Sequence, residues 1–501
     1  MSNNNHLKTG KRWPILLASV ALLAAAIFIY FNNLSQNPPG FFIDESSVSY
    51  NAYTISQNGR DEYGVAWPLY FRAFGDYKNP IYIYLLAVIF RLTGPSIFVA
   101  RAFSAMLGVA TTLVIGLIGF RLTKQRWIAL MLMLLALATP WLFALSRIVV
   151  EVALYPLLVA LFLFALQRIG EKNRWRWIDA LWIALTLALL TYSYSIGRLL
   201  GPLLAAGLLL FAKRARFSSI ARVWLLYAIS LLPMFIFRVR HPGALEARFT
   251  LLTYLTPQNY FMDGWEIVRH YFHNINPWRL LVTGDPATYQ VASTYGTGPV
   301  LVVTFVLAAA GVCLLLTKKG LNGWWAFVIY GLIISFVPAS LTRDYFHLLR
   351  LSAVPVFLTL LTLPALAWMT EKPRRTRRAL TVIVIVLTLA QGVYFQIVHE
   401  RRGREASRMR IFDADYRSTI MPKAIAASGP DPIYLQDAPA IPGYIQARWY
   451  ATLDHVALEK FTLVPDDAAL PEGAVVISTN PTCTRCEVLF ERSPYRVYVL
   501  K

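Results

Sequence analysis

Apolar residues run along this chain in long stretches separated by short basic connections. The runs at 14–31, 97–120, 127–145, 150–166, 178–191, 199–212, 223–237, 299–316, 324–341, 351–369 and 379–398 approach the roughly 20 residues that carry a helix across a bilayer core of about 30 Å. They predict eleven spanning helices, because a helix satisfies its own backbone polar groups where no water can. A further run, 80–90, is apolar and aromatic but short, with Lys78 and Arg91 on its flanks. It reads as a helix lying at the outer surface, with Tyr82 and Tyr84 at headgroup level. Three longer stretches remain, a first loop at 32–96, a middle loop at 238–298 and a tail at 399–501. In the tail, 432–436, 474–478 and 495–500 have strand patterns and 443–453 a helical one. The chain therefore divides into an α-helical polytopic membrane domain, 1–398, and a small α/β module, 399–501. No internal repeat or low-complexity tract is visible.

Charge orients the helices. The segments 1–12, 121–126, 168–176, 213–222, 317–323 and 371–378 hold 21 Lys+Arg against two acids, Glu171 and Glu371. By the positive-inside rule they face the cytoplasm, with the N-terminus, and the two loops and the tail face outside. Counting 80–90 as a span would invert everything after it. The first run continues through 27–31 without a small-residue cleavage site, which makes it an anchor rather than a cleaved signal peptide. Composition agrees: 501 residues, 57% hydrophobic and 15% charged, with a mean hydropathy of +0.50, exclude soluble, fibrous and disordered chains. A net charge of +21 would raise the question of nucleic acid in a soluble protein. Here the basic residues sit between apolar runs with no aromatic-interleaved basic domain, so membrane lipids are the expected partners and nucleic acid is not.

The first loop carries the most informative chemistry. Adjacent carboxylates, Asp44 and Glu45, follow the exit of the first span, and burial there raises their free energy unless a partner or a substrate compensates. The bland account is an N-cap, with Asp44 capping a helix that starts at Glu45. Beyond them come Tyr50, then Gly59-Arg60-Asp61-Glu62-Tyr63-Gly64, then Asp76-Tyr77-Lys78-Asn79-Pro80 running into aromatic residues. Phe98-Val99-Ala100-Arg101-Ala102-Phe103-Ser104-Ala105 with Gly108 opens the next span. Ser146-Arg147 with Glu151, Tyr192-Ser193-Tyr194 with Arg198, and Leu281-Val282-Thr283-Gly284-Asp285-Pro286 follow.

These phrases resemble the GT-C glycosyltransferases of the protein mannosyltransferase and aminoarabinose transferase type, which use polyprenyl-phosphate sugars. The resemblance covers roughly residues 35–370. It departs at Lys78-Asn79-Pro80, where aminoarabinose transferases usually show Lys-Pro-Pro, which counts against that sugar. It implies a GT-C fold and inverting transfer of a mannose-like hexose from a polyprenyl-phosphate donor to a hydroxyl on protein, lipid or glycan. It also implies that Asp44 is the base and that Glu45 orients the acceptor or assists.

The residues allow the same chemistry unaided, since the acceptor needs a base and the departing lipid phosphate needs cations. Candidate donor-phosphate ligands are Lys78, Arg147, Arg198, Arg343, His347 and Arg350, all near span ends; for each, snorkelling or lipid-headgroup binding is the alternative. Arg343, His347 and Arg350 stand at spacings of four and three, which on a helix would give one cationic face. Tyr50, Asp61, Glu62, Asp76, Tyr77 and Glu151 are candidates for an acceptor or sugar pocket. Glu151 is also placed for an i,i+4 pair with Arg147, and the loop carboxylates for plain solvation. The histidines show no metal-ligand spacing, so no cofactor and no divalent metal is expected beyond the lipid-linked co-substrate. Cys483 and Cys486, a C-x-x-C in the outer tail, are candidates for a local disulfide or for free thiols. A rival reading, a transporter or flippase for lipid-linked precursors, would predict repeated halves and broken spans in matching places. Neither is apparent.

Overall fold

The computed structural model describes residues 12–255, 260–285, 291–293, 296–318, 320–438, 441–465, 468–480 and 485–501, and the statements below concern these. Pro286, Cys483 and most of segment 1–12 lie outside them. The chain forms two compact units. The first comprises Met1–Asn32, Ser104–Ser146 and Glu151–His399; the second comprises Asn33–Phe103, Arg147–Val150 and Glu400–Lys501. Residues 33–103, which the sequence reading keeps with the membrane domain, thus pack with the tail.

The first unit is helical. Six helices of the chain are long and apolar enough to cross a membrane: Trp13–Phe31, Ile97–Thr123, Glu151–Ile169, Phe217–Arg240, Gly323–Ser340 and Arg374–Gly403. Shorter apolar helices are Arg126–Ala138, Trp177–Ser193, Gly197–Phe211, Val302–Thr317 and Val354–Thr370, with Pro80–Thr93 in the second unit. All eleven predicted runs are helical, and the chain is a polytopic membrane protein. The runs are less continuous than their hydropathy suggests. Pro140, Pro233, Pro338, Pro355 and Pro364 each sit in the first turn of a new helical piece, because proline offers no N–H to the preceding turn and its ring clashes there. Trp13–Phe31 and Arg374–Gly403 bury only 11% and 17% of their apolar windows, against 72% for Glu151–Ile169, so the former present apolar side chains outward, as lipid contact requires.

Close approach between helices depends on small residues. A Cβ on Gly311 would lie 2.0 Å from the Leu361 carbonyl oxygen, so the Val302–Thr317 helix meets Val354–Leu361 backbone to side-chain-free backbone.

The second unit begins with the helix Ile43–Asn58. An antiparallel hairpin follows, β1 (Phe71–Ala73) and β2 (Asp76–Lys78), which pairs Phe71 with Lys78. Its two-residue turn holds Phe74 and Gly75 at positive φ, 55° and 76°, the geometry that a tight hairpin demands. Pro80–Thr93 is a helix of 14 residues, which rise about 21 Å, less than a bilayer core. It buries Tyr82, Ile83, Leu86, Ala87 and Phe90 along one face. The tail contributes β3 (Ile433–Gln436), β4 (Phe461–Val464), β5 (Val475–Ser478), β6 (Cys486–Arg492) and β7 (Tyr495–Leu500) in the order β4-β3-β5-β7-β6. β3 is parallel to β4 and β5, and β7 is antiparallel to β5 and β6. The helix Tyr444–Leu453 packs on Ile43–Asn58. The three predicted strands and the helix are present, while β4 and β6 are additional. Both are edge strands with exposed apolar residues such as Leu463 and Val488, so neither shows the buried apolar run of β5.

Gly311→Leu is expected to destabilise the protein by about 1–3 kcal/mol through overpacking, read as a lower thermal midpoint in detergent; an unchanged midpoint would show that these helices separate freely.

Candidate active site

The Ile43–Asn58 helix starts after Phe42, which is extended at φ −67° and ψ 152°. Glu45, in its first turn, reaches back so that its Oε2 accepts the Phe42 N–H at 3.0 Å. Glu45, and not Asp44, therefore caps the helix, and both carboxylates suit the positive end of the helix dipole. The helix ends at Gly59 in the left-handed region, φ 71°, where a residue without Cβ fits.

Glu45 is fully buried. Its Oε1 accepts from Arg101 Nε at 3.1 Å and from the Val149 N–H at 2.9 Å, and its Oε2 also accepts from Arg101 Nη2 at 3.0 Å. Four hydrogen bonds use its capacity as an acceptor. Its hydrogen-bonding capacity is thus met within the protein, where the sequence leads to an expectation that Glu45 orients the acceptor or assists. Arg101 spends its remaining N–H groups on the carbonyls of Leu34, Pro38 and Gly40. Arg147 is likewise buried, and its Nη2 donates to the carbonyls of Asn33 at 3.2 Å and Asn37 at 2.5 Å. Burial, and then the nearby Arg101 charge, lower its pKa to about 10. The two arginines gather the 33–40 backbone, so Arg147 holds chain carbonyls where a phosphate was expected.

Asp44 is different. Its side chain is 36% exposed and its Oδ1 accepts from Lys78 Nζ at 2.5 Å. Lys78, at the end of β2, also lies 5.3 Å from the Phe74 ring centre. This pair sets a partly exposed carboxylate beside an ammonium at the end of the hairpin.

Farther along the same helix, Asn51 Nδ2 donates to Glu62 Oε1 at 3.1 Å while its Oδ1 accepts the Glu62 N–H at 3.0 Å. Glu62 Oε2 accepts from Arg448 Nη1 at 3.1 Å. Burial pushes the Glu62 carboxyl up, against the pull of Asn51 and Arg448. Arg448 lies over the rings of Tyr444 and Tyr50, and the Tyr63 and Tyr444 hydroxyls meet at 3.0 Å. Tyr50 and Glu62 thus share a cluster with residues of the tail. Asp61 is a turn residue, its Oδ1 accepting the N–H groups of Tyr63 and Val65. Asp76 closes the hairpin opposite Ala73, and Tyr77 pairs with Arg72.

The remaining candidates belong to the helical unit. Residues 341–350 are turns and bends, with Phe346 at φ 62°, so Arg343, His347 and Arg350 do not form the helical face that their spacing implied. A left-handed residue within the segment breaks any helix there. Arg343 Nε donates to the Thr253 carbonyl at 2.9 Å. Arg350 Nη1 donates to Thr342 Oγ1 at 2.7 Å and pairs with Asp344 at 2.8 Å. His347 Nδ1 is buried without a hydrogen-bond partner among the described residues. Burial, then Arg350 and Arg248, push its pKa down. Arg198 Nη1 donates to the Leu245 carbonyl at 2.6 Å. Glu151 opens a short 3-10 turn, Glu151–Leu154, and 146–150 is not helical, so the i,i+4 geometry with Arg147 is not realised. Cys486 is disulfide-bonded; Cys483, its candidate partner, lies outside the described residues. Among those residues no group of three or more His, Cys, Asp or Glu side chains is arranged to hold a metal ion.

Sequence reasoning missed Arg101, Gln446, Arg448 and Asp413. Arg101 had a signal, an arginine four residues into an apolar run, which lipid alone would not accommodate. The other three had none, because their partners lie from 33 to 405 positions away along the chain.

A family model described as dolichyl-phosphate-mannose-protein mannosyltransferase matches residues 77–239, a stretch shorter than half the chain. It takes in Lys78, Arg101, Arg147, Glu151 and Arg198 and leaves Asp44 outside. Over nearly its whole length the chain is similar to ArnT from Cupriavidus metallidurans. The TM-score is 0.56 to the structure bound to undecaprenyl phosphate and 0.59 to the apo structure. In both cases the identity is 13%, with 96% of this chain and 97% of that one covered. The chain has a GT-C fold. No curated protein matches the sequence. In this GT-C fold the resemblance to the protein mannosyltransferase and ArnT type, read from the sequence, is matched by the architecture.

Two stability tests separate the roles of these carboxylates. Glu45→Gln, which leaves Arg101 buried without its counter-charge, is expected to cost about 3–5 kcal/mol, whereas Asp44→Asn, in a partly exposed pair, costs at most about 1 kcal/mol; equal losses of thermal midpoint would contradict the assignment. Asp413, buried against Gln446 and Tyr495, has its pKa raised by burial from 3.8 to about 7. The folded state thus holds this proton more tightly than the unfolded chain, and the stability it contributes is present below pH 3.8 and lost as pH rises to about 7. Asp413→Asn is expected to gain stability over the wild type at pH 8 and to show no gain near pH 4, a difference that thermal melts at the two pH values measure.

Proposed function

We propose that the protein is a membrane glycosyltransferase that moves a sugar, a mannose-like hexose, from a polyprenyl-phosphate donor to a hydroxyl of a protein, lipid or glycan acceptor at the outer membrane face. The observation that carries this reading is the reachable Asp44–Lys78 pair, fixed on a helix and a hairpin by buried neighbours. The GT-C fold supports it. So do the similarities to the dolichyl-phosphate-mannose-protein mannosyltransferase family model and to an ArnT structure bound to undecaprenyl phosphate.

The chemistry follows from the groups present. The acceptor oxygen attacks the anomeric carbon and its proton passes to the Asp44 carboxylate. The bond between that carbon and the phosphate oxygen breaks, and the electron pair leaves with the lipid phosphate, whose charge Lys78 offsets. One displacement inverts the anomeric centre and needs no enzyme nucleophile. Lys78 is held by Asp44 while the donor is absent and turns to the phosphate when it arrives, which frees the carboxylate for the acceptor. In the helical unit, Arg248 and Arg350 are charged neighbours of His347, a grouping whose chemistry suits a lipid phosphate, and Arg198 and Arg343 remain further candidates. No cofactor and no divalent metal enter this scheme. The positive-inside rule supports a cytoplasmic N-terminus with the loops and tail outside, and the short length of Pro80–Thr93 supports a helix along the outer surface.

Purified protein in liposomes with labelled polyprenyl-phosphate sugars tests the reading. Asp44→Asn is expected to lower the transfer rate by about 10²–10⁴-fold, the range for a general base, while undecaprenyl phosphate still binds. Undiminished transfer by this variant would reject Asp44 as the base.

A further inference from the structure

The tail reaches the helix that carries Asp44 through a buried amide. Gln446, on the Tyr444–Leu453 helix, is fully buried. Its Nε2 donates to the Phe41 carbonyl and to Asp413 Oδ2, both at 2.7 Å, and its Oε1 accepts from Ser46 Oγ at 2.6 Å. Tyr495, from β7, donates its hydroxyl to the same Asp413 oxygen at 2.9 Å. Trp449 stacks on Phe41 at 5.6 Å and on Phe90 at 6.0 Å. Arg448 holds the far part of the Ile43–Asn58 helix through Glu62 and Asn51. One face of the tail helix therefore grips its neighbour at two levels.

An apolar residue at 446 would fill the same space without needing partners, and a buried polar network has to be completely satisfied to be tolerated. What the network adds is direction. Phe41 lies three residues before Asp44 and Ser46 two after it, so Gln446 holds the chain on both sides of the carboxylate. Reacting groups lose about 10²-fold in rate for a misplacement of about 1 Å, so such a brace acts on turnover more than on binding.

We propose that Gln446 is a positioning residue for Asp44, and that the Tyr444–Leu453 helix splints the Ile43–Asn58 helix so that its carboxylate stands in the reacting orientation. The proposal rests on the reading of Asp44 as the base, and it gives the C-terminal module a role in turnover.

Gln446→Leu removes the three hydrogen bonds and keeps the volume. With a polyprenyl-phosphate sugar that the wild type turns over, kcat is expected to fall about 10–100-fold while the donor KM stays within about twofold. In an Asp44→Asn background the same substitution is expected to lower the residual rate less than about twofold, because its effect passes through Asp44. Amide hydrogen exchange is expected to quicken in Ile43–Asn58 and to stay unchanged in Glu151–Ile169. Equal rate losses in both backgrounds, or unchanged exchange in Ile43–Asn58, overturn the proposal. Exchange is read without turnover, so a wild type that transfers no sugar defeats the glycosyltransferase reading separately from the splint. If Gln446→Leu does not fold, Tyr495→Phe, which strips one bond from Asp413, is measured in the same way. A kcat lowered about two- to fivefold with donor KM unchanged supports the splint, and wild-type kcat overturns it.

Discussion

A carboxylate without water must have its charge and its lone pairs met from within, and the arrangement around Glu45 is the consequence. Its four hydrogen bonds tie three separated pieces of chain, the helix start at Phe42, Arg101 at the head of the next long helix, and the turn at Val149. Arg101 carries the constraint onward, because its other N–H groups collect the carbonyls of Leu34, Pro38 and Gly40. Removing either partner leaves a buried charge uncompensated, so this pair fixes where the Ile43–Asn58 helix begins and how it is rotated.

The rotation decides the fate of Asp44. Neighbouring residues on a helix point about 100° apart, so a Glu45 turned fully inward leaves the preceding carboxylate at the surface. Asp44 pairs with Lys78 at the end of a hairpin, and its side chain remains about a third exposed. Two adjacent acids thus become distinct through geometry alone, one fully buried and one partly exposed. The hairpin contributes by its tight turn at Phe74 and Gly75, which sets the register that brings Lys78 to its place.

The tail shares in this unit. Gln446, Arg448 and Trp449 stand on a single short helix, and each has a partner between Phe41 and Phe90. A buried Asp413, with its pKa near 7, lies beneath the contact and is held by Tyr495 from the sheet. The five-stranded sheet therefore anchors a helix whose polar face is turned to the N-terminal part of the chain.

The residue pattern alone determined the eleven apolar helices, the basic connections between them, three of the strands and the tail helix, because hydropathy, charge and period are local properties of the chain. It also singled out Asp44 and Lys78, because acids and cations are conspicuous beside apolar runs. Only the tertiary structure decided which of two neighbouring carboxylates is buried. It also assigned Arg147 to backbone carbonyls, showed that 341–350 is not a helix, and brought Gln446 to Ser46 across 400 positions of sequence. Burial and hydrogen-bond partnership belong to pairs of residues distant along the chain, and no pattern read along it carries the distance between them.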